Sequence, residues 1–277
     1  EPSIQTIFCN IGMTAAIVVC FVETALLFLW EGRKQNMRVD LHMHTGYSAD
    51  AAFPQSVEDK VRACCAAGLE IIGITDHLDF YRTRGPSENR DAEACLRDIR
   101  AAKQAFAGEL EVLTGIEIGQ IHADPAADEF VRTHELDMVI GSLHAMPNDL
   151  DIYFHDYKRL NCDAFLRAYF DQMLEMEAHG GFDVLAHIDY PLRVMKHGDY
   201  VPSFDHYMDR VEQVLRACID RGYAFELNAA GLGSWMKKVG PPQDILYEYR
   251  RMGGERISIG SDSHALDNAG RGIDDCV

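Results

Sequence analysis

The chain has 277 residues, 47% of them hydrophobic, which is enough for one large barrel or two modest domains. Its 44 acidic and 26 basic residues give a formal net charge of −18, and a surface this acidic argues against long nucleic acids as partners. The eight cysteines show no CxxC pair and no regular spacing, which favours reduced thiols over a disulfide framework.

The first 36 residues differ in composition from the rest of the chain. Residues 11–30 are almost wholly apolar and are followed by Arg33 and Lys34, so they could anchor a barrel on the cytoplasmic side of a membrane. A second interpretation, which we favour, takes Met37 as the natural start, because a strand pattern begins directly after it; the protein is then cytoplasmic. We therefore treat 1–36 as an apolar segment and 37–277 as one domain.

From residue 37 onward, strand patterns alternate with helical patterns. This alternation indicates a parallel sheet, and seven such units predict an α/β fold, a distorted seven-stranded (β/α)7 barrel. The predicted strands are 38–42, 70–75, 110–117, 137–143, 182–187, 223–228 and 256–261, and the predicted helices lie near 55–67, 89–107, 125–134, 161–179, 204–221 and 242–252. Because few residues follow the last strand, we expect the barrel to lack its closing C-terminal helix.

Six of the seven strand patterns end in residues that can bind a transition metal. In barrels of this kind the chemistry lies at the carboxyl ends of the strands. Separate structural roles would have to coincide at six strand ends, whereas one multi-metal site accounts for all of them. These residues are His42, His44, His77, Glu117, His144, His187, Asp262 and His264. The remaining strand offers Glu226 and Asn228, and the first loop offers Asp50, which taken alone is better explained as a helix cap.

The spacing and type of these donors indicate which metals suit the site. His42 and His44 lie two apart on a strand, so that both side chains lie on one face, and Asp262 and His264 repeat this spacing. Glu117 is hard to explain as core, because a buried carboxylate requires pairing or a metal, and its two oxygens could bridge two ions. Nitrogen and oxygen donors without thiolates suit zinc, iron or manganese.

The motif series D-L-H-M-H-T, I-T-D-H, G-I-E, G-S-L-H, A-H-I-D and G-S-D-S-H resembles that of the polymerase and histidinol phosphatase (PHP) family of metallo-phosphoesterases. The resemblance runs from residue 37 to about 264 and implies a seven-stranded barrel with up to three divalent ions. It implies one ion held by His42, His44, Glu117 and Asp262, a second held by Glu117, His144 and His187, and a third held by Asp50, His77 and His264. Position 50 is histidine in many relatives, so aspartate is a departure that should make the third site more tolerant of manganese or magnesium.

Within the family, residues 226–232, residues 241–246 and the overall length are most similar to the histidinol-phosphate phosphatase branch. This similarity implies a phosphomonoesterase of histidine biosynthesis that converts L-histidinol phosphate and water to L-histidinol and phosphate. Two alternatives stay open. One is a PHP phosphodiesterase, nucleotide phosphatase or 5′ exonuclease, and the other is a membrane-tethered metal-binding domain without catalysis.

Metal ions would also explain how so acidic a protein could bind a small phosphorylated substrate. Three divalent ions bring six positive charges against the three negative charges of Glu117, Asp262 and Asp50, and they reverse the local field. The expected chemistry is attack on phosphorus by metal-activated water.

Four further residues are candidates for roles around the phosphate. Asp189 and Asp76 could protonate the leaving alkoxide, or they could only orient His187 and His77. Arg193 is the first candidate for a phosphate clamp and Arg159 the second, because the planar guanidinium matches two phosphate oxygens. Either arginine could equally be a solvated surface residue.

Overall fold

The computed structural model describes residues 37–83, 85–87 and 90–276. The apolar segment 1–36, on which the membrane-anchor and false-start hypotheses depend, lies outside the described residues. Within the described part of the chain, none of the helices has the length and apolar character needed to cross a bilayer.

Seven parallel strands form a nearly closed barrel, which confirms the predicted fold class. Their order around the sheet is β1-β2-β5-β6-β7-β8-β9, and each neighbouring pair on this path is parallel. A further strand pair, β3 and β4, forms an antiparallel hairpin whose first strand runs parallel to β5. The strands are β1 (Val39–Asp40), β2 (Ile71–Ile74), β3 (His77–Tyr81), β4 (Gly85–Ser87), β5 (Glu111–Gly119), β6 (Met138–Ser142), β7 (Val184–Leu185), β8 (Ala224–Asn228) and β9 (Ile257–Gly260).

Hydrogen bonds between the first and last strands close the barrel. Leu41 N donates to Ile259 O at 2.8 Å, Asp262 N donates to His42 O at 2.8 Å, and His44 N donates to Ser263 O at 3.0 Å. The buried Asp40 carboxylate strengthens this seam, because it accepts a hydrogen bond from Ser261 N at 2.8 Å. The segments that carry four of the predicted metal ligands are therefore joined to each other by backbone.

Helices cover the outside of the barrel, close to the predicted positions. They are α1 (Val57–Ala66), α2 (Ala92–Ala105), α3 (Pro125–Thr133), α4 (Cys162–His179), α5 (Tyr190–Val194), α6 (Met208–Arg221) and α7 (Gln243–Arg251). Side chains cap several N-termini: Ser56 and Asp59 form a capping box at α1, and Asn161 accepts a hydrogen bond from Ala164 N at α4. After β9 the described residues form two short 3₁₀ turns.

Two elements were not predicted. The hairpin of β3 and β4 begins at the last residue of the I-T-D-H motif, in a stretch to which no strand or helix was assigned, and the short helix α5 follows His187. Both lie at the carboxyl ends of barrel strands. The sequence pattern is weak there because side chains at this rim face the site as well as the core.

The core is divided between the barrel interior and the layer beneath the helices. Small and medium apolar side chains fill the interior: Val39, Leu41, Ile71, Met138, Ile140, Val184, Ala186 and Ala224. Two other clusters pack the outer strand faces against the helices. The described cysteines are all free, as the composition predicted: Cys64, Cys65, Cys95, Cys162, Cys218 and Cys276.

One buried carboxyl group in this outer core forms no ion pair among the described residues. Glu177 of α4 is fully buried, and neither of its carboxyl oxygens has a hydrogen-bond partner among the described residues. Burial raises the pKa of Glu177 from its ordinary value of 4.5 to about 9, against a smaller opposing effect of Arg221.

This shift predicts how stability changes with pH. Between the two pKa values the folded state keeps the Glu177 proton and the unfolded state releases it, so the free energy of unfolding falls as pH rises. We expect Glu177→Gln to gain stability over the wild type between ~pH 5 and ~pH 8, by at most about 4 kcal/mol. Thermal unfolding across this pH range measures the difference. Glu175 is exposed on the same helix, so the control Glu175→Gln should show the same pH dependence of thermal unfolding as the wild type. If all three proteins showed the same pH dependence, the raised pKa of Glu177 would be contradicted.

Candidate metal centre

The carboxyl ends of the barrel strands bring all nine predicted ligands into one cluster. His42 and His44 follow β1, His77 begins β3 and Glu117 lies near the end of β5. His144 follows β6, His187 follows β7, Asp262 and His264 follow β9, and Asp50 lies in the loop after β1. We call these nine residues the histidine–carboxylate centre. Their assignment as metal ligands is a prediction from the sequence.

The carboxylate of Glu117 lies in the middle of the centre and contacts four imidazoles. Its Oε2 lies 2.7 Å from His77 Nδ1 and 3.3 Å from His42 Nε2. Its Oε1 lies 3.0 Å from His187 Nε2 and 3.2 Å from His144 Nε2. Burial alone would raise the pKa of Glu117, but the imidazoles outweigh it and hold that pKa well below its usual range. The imidazoles therefore favour the ionised form of Glu117: two lie against Oε1 and two against Oε2, and His44 Nε2 lies 3.6 Å from Oε2.

Asp262 is the second carboxylate of the centre. Its Oδ1 lies 3.2 Å from His44 Nε2 and 3.8 Å from His42 Nε2. Burial would raise the pKa of Asp262, but His42 and His44 hold it well below its usual range. Asp262 has a positive φ of 54°, a conformation that non-glycine residues rarely adopt. The strand end is thus bent to direct this carboxylate at the two histidines of β1.

The third group is the most open to solvent. His264 Nε2 lies 3.2 Å from Asp50 Oδ2, and His77 Nε2 lies 3.7 Å from the same oxygen. The two Nε2 atoms are 3.4 Å apart. The Asp50 side chain is 59% exposed, whereas that of Glu117 is fully buried, so the third group forms the mouth of the centre.

These donors fit divalent cations. Four sets of three residues place ligand atoms within 4.8 Å of one another: His42–His44–Asp262, His42–Glu117–His187, His77–Glu117–His144 and His44–His77–His264. Buried ligand atoms, including His42 Nε2, His44 Nε2 and Glu117 Oε2, have no hydrogen-bond partner among the described residues. Buried polar atoms are normally satisfied, and facing imidazole nitrogens repel each other unless a proton or a cation lies between them. His42, His44, His77 and Glu117 each belong to two of the four sets, and of these four only Glu117 has two carboxylate oxygens with which it could bridge adjacent ions.

A layer of hydrogen bonds behind the histidines fixes which ring nitrogen faces the centre. His42 Nδ1 lies 2.5 Å from Glu226 Oε1, and His144 Nδ1 lies 3.0 Å from Asp79 Oδ1. Ser48 Oγ lies 3.0 Å from His44 Nδ1. Each contact leaves Nε2 directed at the neighbouring ligands, the arrangement found around protein metal sites.

Neither Asp79 nor Glu226 was predicted to orient a histidine of the centre. Asp79 lies two residues after His77 on β3, so both share one strand face, but the strand itself was not predicted. Glu226 lies two residues after Ala224, which faces the barrel interior, and this alternation could have placed it at the centre. Gly260 makes room for this contact, since a Cβ there would collide with His42 and approach Glu226 Oε1 to 2.9 Å.

The hydrogen bonds of Asp76 are unlike those of a residue that exchanges protons with a substrate. Both of its oxygens accept hydrogen bonds from the loop after β1: Oδ1 from Thr45 N at 2.8 Å and from Ser48 Oγ at 2.7 Å, and Oδ2 from Thr45 Oγ1 at 2.8 Å. The side chain is fully buried. The Asp76 side chain also makes no contact with the His77 ring that would orient it. These contacts correct the expectation for Asp76: it orders the loop that carries Asp50.

Asp189 and Arg193 form a buried ion pair beside the centre. Arg193 donates from Nε to Asp189 Oδ2 at 3.0 Å and from Nη2 to Asp189 Oδ1 at 2.9 Å. Arg193 Nη1 is 3.7 Å from Asp262 Oδ2. Because both Asp189 oxygens are engaged, the geometry disfavours the expected proton transfer by Asp189 and indicates that it holds Arg193. Arg159, the second clamp candidate, is exposed on the loop before α4.

Comparison with known proteins identifies similar chains. A family model described as "PHP domain" matches residues 40–230. The chain is 31% identical over 239 residues to "Probable histidinol-phosphatase" of Clostridium acetobutylicum, covering 84% of this chain and 89% of that protein. It is 26% identical over 234 residues to "Histidinol-phosphatase" of Lactococcus lactis subsp. lactis, covering 82% and 84% respectively.

A solved structure has the same fold. The histidinol phosphate phosphatase of Lactococcus lactis subsp. lactis, crystallised with zinc, L-histidinol and phosphate, superposes with a TM-score of 0.71. The two chains are 23% identical, and the match covers 83% of this chain and 87% of the other. The barrel architecture is therefore shared.

Because Glu117 lies in the middle of the centre, we expect the thermal stability of the protein to depend on bound metal. We expect zinc or manganese to raise the melting temperature of chelator-treated protein, since an ion at 100 times its dissociation constant stabilises by about 2.7 kcal/mol. Glu117→Gln keeps the shape but removes the shared charge, so most of this increase should disappear. Scanning calorimetry with and without metal measures it, and the exposed Glu109→Gln serves as control. A full metal-induced increase in Glu117→Gln would contradict the bridging role.

Proposed function

This chain belongs to the PHP domain family, and on that premise we propose that it hydrolyses L-histidinol phosphate to L-histidinol and phosphate in a metal-dependent reaction. The observation that carries the proposal is the buried Glu117 carboxylate, whose two oxygens contact four imidazoles at 2.7–3.3 Å. The substrate is supported by the relatives named histidinol-phosphatases, which align over more than four fifths of this chain.

The histidine–carboxylate centre would hold up to three divalent ions. His42, His44, Glu117 and Asp262 are suited to one ion, Glu117, His144 and His187 to a second, and Asp50, His77 and His264 to a third. When bound, divalent ions such as zinc, iron or manganese lower the pKa of water and neutralise phosphoryl oxygens.

The carboxylates and imidazoles of the centre hold each other charged. Burial opposes ionisation, but the imidazoles hold the pKa values of Glu117 and Asp262 well below their usual range. Against a similar effect of burial, the carboxylates raise the pKa values of His42 and His77 well above their usual range. Divalent ions would take the place of these imidazole protons, because an imidazole must be neutral to bind a metal, and would supply the positive charge that attracts a phosphomonoester.

Arg193 is suited to bind and orient the phosphoryl group. Its side chain is only 7% exposed, and Asp189 engages Nε and Nη2. The Nη1 group faces Asp262 from 3.7 Å, beyond hydrogen-bond distance, and keeps protons for a phosphate oxygen. Because Asp189 fixes the plane of the guanidinium, little conformational entropy is lost when phosphate binds.

The described cysteines support a reducing, cytoplasmic location. All six are free thiols, and five are buried in the core, where a disulfide would require the packing to change.

The proposed function is tested by an assay that separates substrate classes. Protein stripped of metal by a chelator and reloaded with zinc or manganese should hydrolyse histidinol phosphate, and stripped protein should not. A nucleoside monophosphate and a bis-ester tested in parallel distinguish the alternatives. Hydrolysis of the bis-ester without hydrolysis of histidinol phosphate would refute the proposed substrate and favour a phosphodiesterase.

Arg193 gives a sharper prediction about phosphate binding. We expect Arg193→Met to lower kcat/KM for the phosphomonoester about 30- to 160-fold, because a charge-assisted hydrogen bond contributes about 2–3 kcal/mol. Inhibition by inorganic phosphate should weaken with it. Arg193→Met leaves Asp189 buried without its partner, so the double variant Arg193→Met/Asp189→Asn controls for stability. Arg159→Met should lower kcat/KM less than Arg193→Met does. A larger loss in Arg159→Met would instead identify Arg159 as the arginine that binds phosphate.

A further inference from the structure

Lys60 is a buried lysine that the proposed function does not use. It lies on α1, outside the barrel, and its side chain is fully buried. Lysine is rarely buried without a partner, because removing the ammonium group from water is unfavourable unless hydrogen bonds replace the water. The partners of Lys60 therefore indicate why the charge is there.

The ammonium group of Lys60 donates three hydrogen bonds, all of them to the loop of residues 263–265. Lys60 Nζ donates to Ser263 O at 3.0 Å, to Ser263 Oγ at 3.2 Å and to Ala265 O at 3.1 Å. An ammonium has three donors and no acceptor, so these bonds satisfy it completely. Ser263 lies between Asp262 and His264, two residues of the histidine–carboxylate centre.

The same loop needs to be held in place. Asp262 adopts a positive φ of 54°, a conformation that is unfavourable for an aspartate in the absence of supporting contacts. Neighbouring carbonyls are also engaged from outside: His264 O accepts hydrogen bonds from Gln55 Nε2 at 2.8 Å and from Ala52 N at 2.9 Å. The loop backbone thus faces α1 and the residues before it, while the side chains of Asp262 and His264 face the centre.

We propose that Lys60 is a positioning residue for the metal centre, because its buried ammonium group holds the backbone of residues 263–265 so that Asp262 and His264 present their donor atoms together. This inference rests on the proposed metal binding and adds a residue outside the centre that determines how tightly ions are held. Lys60 acts through the loop and touches neither substrate nor ligand side chains.

Metal titration of chelator-stripped protein tests the proposal. Lys60→Met has similar length and removes the hydrogen bonds, and we expect it to bind Co²⁺ about 10- to 100-fold more weakly, the usual effect of losing a contact that supports a metal ligand. The visible Co²⁺ spectrum should change, and amide hydrogens of residues 261–265 should exchange faster. Lys60→Gln keeps a donor and should bind more tightly than Lys60→Met.

Val61→Ala is the matched control. Val61 is fully buried on the next position of α1, in the apolar layer, and its truncation loosens the same helix without touching the loop. We expect Val61→Ala to keep the wild-type Co²⁺ affinity and spectrum. Lys60 variants that bind like the wild type, or no more weakly than Val61→Ala, would overturn the positioning role.

Two further outcomes are separable. If Lys60→Met does not fold, the comparison of Lys60→Gln with Val61→Ala decides, since weaker Co²⁺ binding in Lys60→Gln supports the proposal and equal binding refutes it. Failure of the wild type itself to bind Co²⁺, zinc or manganese would refute the metal centre and with it the proposed function.

Discussion

The structure depends on one constraint: the fully buried carboxylate of Glu117 must be surrounded by groups that stabilise its charge. Four imidazoles from four different strand ends meet this requirement at 2.7–3.3 Å, which fixes the register at which those strands end. Two of these imidazoles have carboxylate partners in turn: Glu226 lies 2.5 Å from His42, and Asp79 lies 3.0 Å from His144. Burial of one charge has thus organised two layers of polar side chains within a barrel whose interior is otherwise apolar.

The overall charge and the local charge have opposite consequences for phosphate. A formal net charge of −18 repels anions at long range, but salt screens such repulsion over about 8–10 Å. Within the rim, Arg193 and any bound cations act at short distance and in a less polar environment, where each charge has a larger effect. The net charge of the chain therefore affects how a substrate approaches from a distance, while a few buried charged groups determine how tightly it binds.

The sequence was sufficient to predict the barrel strands and helices, because apolar alternation and terminal residues such as Ser56 and Asn161 act locally. Eight of the nine residues of the centre were recognisable for the same reason, since they end apolar runs, whereas Asp50 lies in the first loop and was assigned to the centre only through the resemblance. The hairpin of β3 and β4 was missed, because His77 and Asp79 of β3 face the site and interrupt the apolar pattern. The roles of Asp76, Asp189 and Lys60 could not be predicted, because their partners lie 28 to 203 residues away, or one helical turn away in a helix that was itself not predicted.

The seam between β1 and β9 has a consequence for biosynthesis. Ser261 N and the Asp40 carboxylate are 221 residues apart in the chain, yet their hydrogen bond closes the barrel. A nascent chain therefore cannot join His42 and His44 to Asp262 until nearly all of the domain has left the ribosome, whereas the strands between them can pair earlier. Contacts of such long sequence separation form slowly and late. The donor set His42–His44–Asp262 is thus assembled only at the end of folding, whereas the set His77–Glu117–His144 lies on strands that can pair earlier.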